Sequence, residues 1–314
     1  MGTPSSVVPV LGRLLQMPDV DVLAAVTPPD RPRGRGRQPE SPPVKDAASS
    51  LGIPVLQPPT LRRESVQADL AALSPDVIVV AAYGRLLPSS VLQIPPHGCL
   101  NLHPSLLPRH RGPSPVATSI LEGDETTGIT LMLLDEGMDT GPLVAQREYA
   151  LEGTETAGDL TDLLFNMGAD LLAENLESWT RGELKAGAQD ETAATVSSKL
   201  ERTDGLADWM LPASTLVRQC RAFSPWPGLY TEWEGKTLKV LEAEPMGDLV
   251  PAGAGPGNVV GGASGQRLSV ATGQGMLALN RVQLEGRRAV TSEEFLRGYP
   301  EIVGARLGSQ ETKS

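Results

Sequence analysis

The sequence predicts a doubly wound, Rossmann-like α/β domain followed by a small β domain. Over residues 1–188, short apolar runs alternate with segments of helical periodicity, a pattern typical of βαβ units. The run 76–82 is apolar almost throughout, as expected for a strand that is buried on both faces of a parallel sheet. From residue 204 to residue 314, strand-like runs follow one another across glycine-containing turns. We expect the polar stretch 189–203, which has no apolar stripe, to link the two domains.

Each element of the first domain has its own local pattern. Helical spacing of apolar residues, or a glycine that ends a helix, predicts helices over residues 5–15, 44–51, 64–73, 88–92, 116–121 and 159–179. Apolar runs predict strands over residues 20–26, 54–56, 76–82, 99–102 and 127–134. The segment 27–43 is rich in Pro, Gly and Arg, which predicts a long loop.

The second domain is predicted from two hairpins. Residues 229–233 and 237–241 flank the turn Glu234-Gly235-Lys236, and residues 267–271 and 276–282 flank a turn with two glycines. Periodicity alone predicts a small barrel or sandwich here, without deciding between them.

Composition excludes several classes of protein. The net charge of −11 argues against general affinity for nucleic acid, so any RNA contact requires a local basic patch. The two cysteines form no paired framework, which predicts reduced thiols in a cytoplasmic protein. The three histidines form no ligand cluster, so no metal site is expected. No apolar run approaches ~20 residues, so no transmembrane helix is expected.

The chemistry of the chain is predicted around Asn101 and His103. They lie two residues apart at the end of a predicted strand, so both side chains leave it on the same face. An amide and an imidazole at a strand end can hold a carbonyl whose oxygen becomes negative. Asp139 follows the next predicted strand in a glycine-flanked acidic turn, from which its carboxylate can reach His103. The three residues predict a site for acyl-type transfer.

The complete pattern is more specific than its parts. Asn101-x-His103-Pro-Ser-Leu-Leu-Pro-x-x-Arg111-Gly112, followed by Asp135-x-Gly-x-Asp139-x-Gly141, resembles the folate-dependent formyltransferases. The similarity is greatest to the branch that acts on methionyl initiator tRNA, and it extends from residue 2 to about residue 294. The resemblance implies transfer of a formyl group from 10-formyltetrahydrofolate to a primary amine. It also implies an OB-like C-terminal barrel that helps to hold tRNA, and no metal; we expect a monomer.

The resemblance also assigns roles to individual residues. Asn101 and His103 are implied to stabilise the oxyanion and to move the proton, and Asp139 to hold His103. Residues that match folate-contacting segments of the family are Arg85, Leu86, Leu87, Ser105, Leu106, Leu107 and Pro108. A rigid, buried loop is the alternative interpretation of residues 105–108, and the two interpretations are compatible.

An arginine-rich loop indicates the acceptor. It matches the Pro-Asp-Arg-Pro-x-Gly-Arg-Gly loop by which related enzymes contact the acceptor arm of tRNA, and its arginines are Arg31, Arg33, Arg35 and Arg37. Arginines so placed can bind phosphates, and Arg35 is the expected key contact. The family's usual pair of basic residues after the last glycine is only Arg37-Gln38 here. The alternative interpretation is a solvated loop without a ligand.

Three other functions compete with transfer to tRNA. Formyltransferases that act on amino-sugar nucleotides share the Asn/His/Asp motif but lack the arginine loop. Glycinamide ribonucleotide formyltransferases are shorter and lack the β domain. A non-catalytic RNA-binding protein would need only the loop and the β domain, and the intact catalytic pattern argues against it.

One feature departs from the family pattern. In the family a short apolar strand near the centre of the sheet precedes Gly-Thr-Pro, whereas here Met1 directly precedes Gly2. Each buried backbone group left without a partner costs ~1–3 kcal/mol. We therefore expect the first strand to be missing from this chain and its start codon to lie upstream.

Overall fold

The computed structural model describes residues 1–33, 38–247, 249–261 and 267–308. The chain forms two compact units. The first comprises residues 1–115, 125–151 and 159–198, and the second comprises residues 116–124, 152–158 and 199–314. Among the described residues, no helix is both long and apolar enough to cross a bilayer.

Among the described residues, the first unit contains three sheets. Strands β1 (Ala25–Val26) and β4 (Val55–Leu56) pair in parallel, and β2 (Arg31–Arg33) and β3 (Gln38–Glu40) form an antiparallel hairpin. The main sheet has the order β5 (Ile78–Ala81), β6 (Cys99–His103), β7 (Thr126–Leu133) and β8 (Leu143–Ala150). β5 and β6 are parallel, whereas β7 and β8 run antiparallel to their neighbours. Strand β8 was not predicted; exposed and partly buried residues alternate along its second half.

Two hydrophobic cores cover opposite faces of the main sheet, which confirms the predicted α/β fold. Leu100 and Leu102 of β6 belong to the first core, together with side chains from helices α1 (Val8–Leu15), α2 (Pro43–Ser50) and α6 (Ala157–Thr180). Cys99 belongs to the second, with side chains from α3 (Glu64–Ala72) and α4 (Ser89–Leu92). Because successive side chains alternate along a strand, Asn101 and His103 share the face of Cys99.

The strand predicted over residues 20–26 is shorter in the structure. Only Ala25 and Val26 pair with β4, and Met1 and Gly2 lie between β1 and β5. Gly2 N–H donates to the Val26 carbonyl (3.2 Å), and Ala81 N–H donates to the Met1 carbonyl (2.9 Å). A groove of about 920 Å³ is lined by Met1, residues 20–26 and residues 73–79. Residues 20–24 line this groove and do not pair with a neighbouring strand. The regular strand is therefore limited to Ala25 and Val26.

The segment predicted as a long loop contains the β2–β3 hairpin. Arg31 lies opposite Glu40, and Arg33 lies opposite Gln38. These strands were not predicted, because each contains a proline, which is uncommon within strands.

The polar segment 189–197, which we call the strap, lies in the first unit. Arg111 N–H donates to the Thr195 carbonyl (2.9 Å), and Ser197 N–H donates to the Arg111 carbonyl (2.7 Å). Thr195 N–H donates to the Pro108 carbonyl (3.2 Å). The strap therefore runs along the loop that follows β6, held by backbone hydrogen bonds rather than by an apolar stripe.

The second unit is built on an antiparallel sheet, as predicted. Its strands are β9 (Leu229–Trp233), β10 (Lys236–Pro245), β11 (Val259–Gly261), β12 (Leu268–Ala271), β13 (Met276–Leu284) and β14 (Val290–Thr291). Both predicted hairpins are present, and Glu234 and Gly235 both have positive φ, as a tight hairpin turn requires. The second unit also contains helices α5 (Pro115–Glu122), α7 (Ala213–Ala222) and α8 (Ser292–Gly298), of which α7 and α8 were not predicted.

Candidate active site

Asn101 and His103 lie at the carboxyl end of β6, as the sequence predicts. Both are buried, with exposed fractions of 9% and 5%. Within the described part of the chain, the Asn101 amide has no side-chain hydrogen-bond partner. Its nitrogen and oxygen are not among the fully buried side-chain atoms that lack a partner, so the amide reaches accessible space. The Asn101 amide is therefore accessible to a bound substrate.

The ring of His103 is held by its backbone surroundings. Its Nε2 lies 2.9 Å from the His110 carbonyl oxygen. Because a carbonyl only accepts, Nε2 must carry the proton in this contact, which leaves Nδ1 free in the neutral ring. Nδ1 lies 3.6 Å from the Asp139 carboxylate. Sequence reasoning did not find the contact with His110, because a backbone carbonyl leaves no mark on a sequence pattern.

Burial and charge act in opposite directions on His103. Burial lowers the pKa of the imidazole below its ordinary value, while the Asp139 carboxylate and the His110 carbonyl raise it. Burial is the largest of these influences, so the pKa is lowered and the ring is neutral near pH 7. A neutral imidazole with Nδ1 free can accept a proton.

Asp139 is fixed in an uncommon backbone conformation. Its φ is +56°, and its Oδ2 accepts a hydrogen bond from the Gly112 N–H (2.8 Å). In the same loop, the Asp135 carboxylate accepts hydrogen bonds from Gly137 N–H (3.0 Å) and the Thr140 hydroxyl (2.8 Å). The structure thus gives the two aspartates different tasks: Asp135 closes its own turn, and Asp139 reaches His103.

The loop 105–108 is rigid and largely buried. The Ser105 hydroxyl is buried and donates to the Arg109 carbonyl (2.7 Å). The Thr130 hydroxyl donates to the Ser105 carbonyl (2.6 Å), and the Gln146 amide donates to the Leu107 carbonyl (2.9 Å). Thr130 and Gln146 were not predicted, because strand residues that support a loop look like ordinary strand residues in sequence.

The loop after β5 lies at the same edge of the sheet. Arg85 donates to the carbonyls of Pro58 (3.1 Å) and Pro59 (2.8 Å), so its guanidinium is engaged with backbone. Leu86 is 67% exposed, whereas Leu87 packs against the second core. Because β5 and β6 are parallel neighbours, this loop and the Ser105 loop leave adjacent strand ends. Leu86 is the apolar side chain in it that is free to contact a ligand.

The arginine hairpin is anchored at its base. Lys45 Nζ lies 2.7 and 2.8 Å from the two Asp30 carboxylate oxygens, and Gln57 donates to Asp30 (2.8 Å). These contacts lower the pKa of the Asp30 carboxyl. Arg31 is exposed at the start of the hairpin. The backbone of Arg33 is described but its side chain is not, and Arg35 and Arg37 lie outside the described residues.

In the second unit, two aromatic residues close together in sequence differ in burial. Phe223 is 3% exposed, whereas Trp226 is 55% exposed. Trp226 lies between two prolines, Pro225 and Pro227, in the segment that follows α7.

Comparison with known proteins gives consistent matches over nearly the whole chain. Residues 1–176 match the family described as Formyl transferase, and residues 199–300 match Formyl transferase, C-terminal domain. The chain is 47% identical to the methionyl-tRNA formyltransferase of Roseiflexus sp. (strain RS-1), a match that covers 100% of this chain and 95% of that protein. It is 41% identical to the methionyl-tRNA formyltransferase of Geotalea daltonii, with 99% and 98% covered.

Solved structures share the fold at low sequence identity. The sugar 3N-formyl transferase WlaRD, solved in the presence of dTDP and 5-N-formyl-THF, is 16% identical with a TM-score of 0.62, covering 91% of this chain and 97% of that one. HypX from Aquifex aeolicus, in complex with tetrahydrofolic acid, is 22% identical with a TM-score of 0.56 over 76% of this chain, which spans only 41% of HypX.

The resemblance seen in the sequence motifs is thereby confirmed at the level of the family. The full-length matches exceed 40% identity, and the motifs that carry the resemblance lie together at one edge of the main sheet. The chain belongs to the formyl transferase family.

Proposed function

We propose that this chain transfers the formyl group of 10-formyltetrahydrofolate to the amino group of methionyl initiator tRNA. The observation that carries the proposal is the cluster of Asn101, His103 and Asp139 at the carboxyl end of β6, with the Asn101 amide available and the His103 ring neutral. Relatives of this chain that are 41–47% identical over nearly its full length are named methionyl-tRNA formyltransferases, which supports the acceptor.

The protein must stabilise a negative charge and transfer a proton during the reaction. As the amine attacks the formyl carbon, the carbonyl oxygen becomes negative and the amine loses a proton. The Asn101 amide donates to the oxyanion, which such donors stabilise when they are already in place. The proton passes to His103 Nδ1, where Asp139 stabilises the resulting imidazolium, and then to the folate nitrogen as the bond between carbon and that nitrogen breaks.

The donor is proposed to bind at the edge of the sheet formed by two loops. The loop 105–108 offers a backbone fixed by Thr130 and Gln146, and the loop 84–87 offers the exposed Leu86. A fixed polar backbone beside an exposed apolar side chain fits a flat heterocycle with polar edges. Arg85 supports this loop through Pro58 and Pro59, so we assign it to shaping the pocket.

We place the reaction in the cytoplasm. Cys99 and Cys220 are both free and buried, and burial raises the pKa of each thiol to about 12. Unpaired cysteines are usual in the reducing cytosol, which supports this placement.

The test is a formyl-transfer assay with three acceptors: charged initiator tRNA, uncharged tRNA and a nucleotide-linked amino sugar. We expect formyl product only with the charged tRNA. In Asn101→Ala, kcat should fall about 10²–10³-fold, because one oxyanion donor is lost, while tRNA binding is kept. Asn166→Ala is the matched control, since the exposed Asn166 amide donates only to the Asp162 carbonyl of its own helix.

Two outcomes contradict the proposal. Transfer to the amino sugar alone would assign the chain to sugar nucleotides. Full activity of the Asn101→Ala variant would remove the amide from the mechanism.

A further inference from the structure

Gln189 lies at the centre of a buried hydrogen-bond network beside the candidate site. Its side chain is 9% exposed. Its Nε2 donates to the Asp139 carbonyl (2.8 Å) and to the Gly141 carbonyl (2.7 Å). Its Oε1 accepts from Arg111, at 3.1 Å from Nε and 2.9 Å from Nη2. Both amide protons and both acceptor positions of Gln189 are therefore in use.

The loop that Gln189 holds needs an external support. Asp139 has a φ of +56°, a left-handed conformation that residues other than glycine rarely adopt. Such conformations persist where the surrounding structure fixes them. At Gly141 the turn passes so close to β7 that an added Cβ would lie 1.9 Å from the Leu133 carbonyl oxygen. Gln189 binds the carbonyls on both sides of this tight turn.

The support extends outward through charged groups. The Arg111 guanidinium is buried and also binds Glu191, at 2.7 Å from Oε1 and 3.0 Å from Oε2. Glu191, which is largely exposed, belongs to the strap. The Arg111 charge is thus paired, and its remaining hydrogens orient Gln189. This arrangement keeps Gln189 in one rotamer, with its amide directed at the Asp139 loop.

The same strap also supports His103. The Thr195 hydroxyl accepts from the His110 N–H (2.8 Å). His110, with φ +57°, supplies the carbonyl that accepts from His103 Nε2. The two left-handed residues that contact His103, namely His110 and Asp139, are therefore both fixed by side chains of the strap.

We propose that Gln189 is a positioning residue for formyl transfer, which holds Asp139 within reach of His103 through the two backbone carbonyls to which its amide donates. The proposal rests on the proposed function, because it assumes that the contact between His103 and Asp139 serves catalysis. Gln189 itself touches neither the amide of Asn101 nor the imidazole of His103.

The first test is Gln189→Ala in the full chain. Without the amide the Asp139 loop loses both supports, so we expect kcat for formyl transfer to fall about 10- to 100-fold, as for other small misplacements of a catalytic group. The KM for the folate donor and the KM for tRNA should stay within about threefold, because the lost alignment acts on the transition state. Gln67→Ala is the matched control: Gln67 donates one similar bond, to the Leu61 carbonyl.

Gln189→Glu separates two ways in which Gln189 could act. A carboxylate still accepts from Arg111, but it cannot donate to the Asp139 and Gly141 carbonyls and repels their oxygens. We expect kcat to fall at least as far as in Gln189→Ala. If Gln189→Glu instead keeps kcat within twofold of the unsubstituted chain, Gln189 acts by holding Arg111 and the proposal is wrong.

An NMR titration of the imidazoles tests the geometry without substrate. Burial lowers the pKa of His103 and the Asp139 carboxylate opposes this by raising it, so an Asp139 that moves away should let the His103 pKa fall in Gln189→Ala. His97 serves as the internal reference. A Gln189→Ala protein that is merely less stable, with an unchanged His103 titration and unchanged kcat, would overturn the proposal. If no form of the chain formylates methionyl-tRNA, the proposed function fails, but this titration still decides whether Gln189 positions Asp139.

Discussion

The orientation of the His103 ring decides which of its nitrogens can take part in proton transfer. Because Nε2 donates to the His110 carbonyl, the nitrogen that remains is Nδ1, 3.6 Å from Asp139. Nδ1 and an ionised carboxylate are both acceptors, so in the resting state no hydrogen joins them. A proton taken from the substrate amine would lie between Nδ1 and the Asp139 carboxylate, both of which can bind it. This explains how a histidine whose pKa is lowered by burial can still serve as a base.

This arrangement predicts the effect of Asp139→Asn. The amide oxygen of Asn can still accept from the Gly112 N–H, so the loop is kept while the charge is lost. Because Asp139 raises the His103 pKa, its neutralisation should lower that pKa further below the ordinary value of about 6.5. We expect kcat for formyl transfer to fall about 10²–10⁴-fold, the usual worth of positioned proton transfer.

NMR titration and steady-state kinetics check this prediction together. The sign of the pKa change is the decisive result: a His103 pKa that rises or does not change in Asp139→Asn would show that the carboxylate does not act on the ring. Asp135→Asn is the comparison variant, because Asp135 closes the same loop but is bonded to Gly137 and Thr140.

Among the elements, the paired strands β2 and β3 have a fixed base and lie in an arginine-rich part of the sequence. Lys45 and Gln57 both bind the Asp30 carboxylate. Although Lys45 is basic, it is therefore engaged in holding the hairpin, and we do not assign it to phosphate binding. The exposed Arg31 begins the hairpin, and the sequence places Arg33, Arg35 and Arg37 after it. We propose that these four arginines contact the tRNA backbone, as the sequence resemblance implies.

Arg31→Ala and Arg35→Ala test this proposal separately. Each should raise the KM for tRNA while leaving the KM for the folate donor unchanged. The slope of log K against log salt for tRNA binding should fall by about 1 for each phosphate contact that is lost. The control is Arg181→Ala, which removes an exposed arginine paired with Glu177 in the same unit. A salt slope that does not change in either hairpin variant would favour the solvated loop.

Sequence patterns did not predict that the strap belongs to the first unit. The segment has no apolar periodicity because its contacts are polar: backbone bonds to Pro108 and Arg111, and side-chain bonds from Gln189 and Thr195. We therefore propose that the boundary between the domains lies near residue 198 rather than at residue 188.

For the molecule as a whole, we expect the groove between β1 and β5 to reduce stability, because it leaves residues 20–24 without a neighbouring strand. Met1 and Gly2 already pair on both sides of it, so a chain extended from Met1 towards its amino end would continue in register. Burial also lowers the pKa of the Met1 amino group to about 6. Since the unfolded amine titrates near pH 8, the folded state loses stability as the pH falls from 8 to 6.

We predict that about six apolar residues added before Met1 raise the melting temperature. The added strand would cover apolar surface at ~25 cal/mol per Å² and move the amine out of the groove. Each kcal/mol gained should raise Tm by about 2–4 °C in a domain of this size. Calorimetry at pH 6.5 measures the change, and an added Gly/Ser segment of equal length is the control. An apolar extension that does no better than the Gly/Ser segment would show that the groove does not take a strand.

The sequence by itself determined the features that depend on local patterns. The apolar run that became β5 and the stripe that became α6 follow from periodicity, and the order of these elements fixed the α/β class. The two-residue spacing of Asn101 and His103 fixed their common face. Side-chain direction along a strand is set by covalent geometry, so a prediction that two residues share a face holds in the folded protein.

Tertiary structure alone decided the features that depend on backbone partners distant in the sequence. The tautomer of His103 is set by the carbonyl of His110, and the place of Asp139 is set by Gly112 and by Gln189, fifty residues further along the chain. A carbonyl is present at every residue, so no sequence pattern distinguishes the one that accepts from the others. Only the folded chain selects which of them accepts.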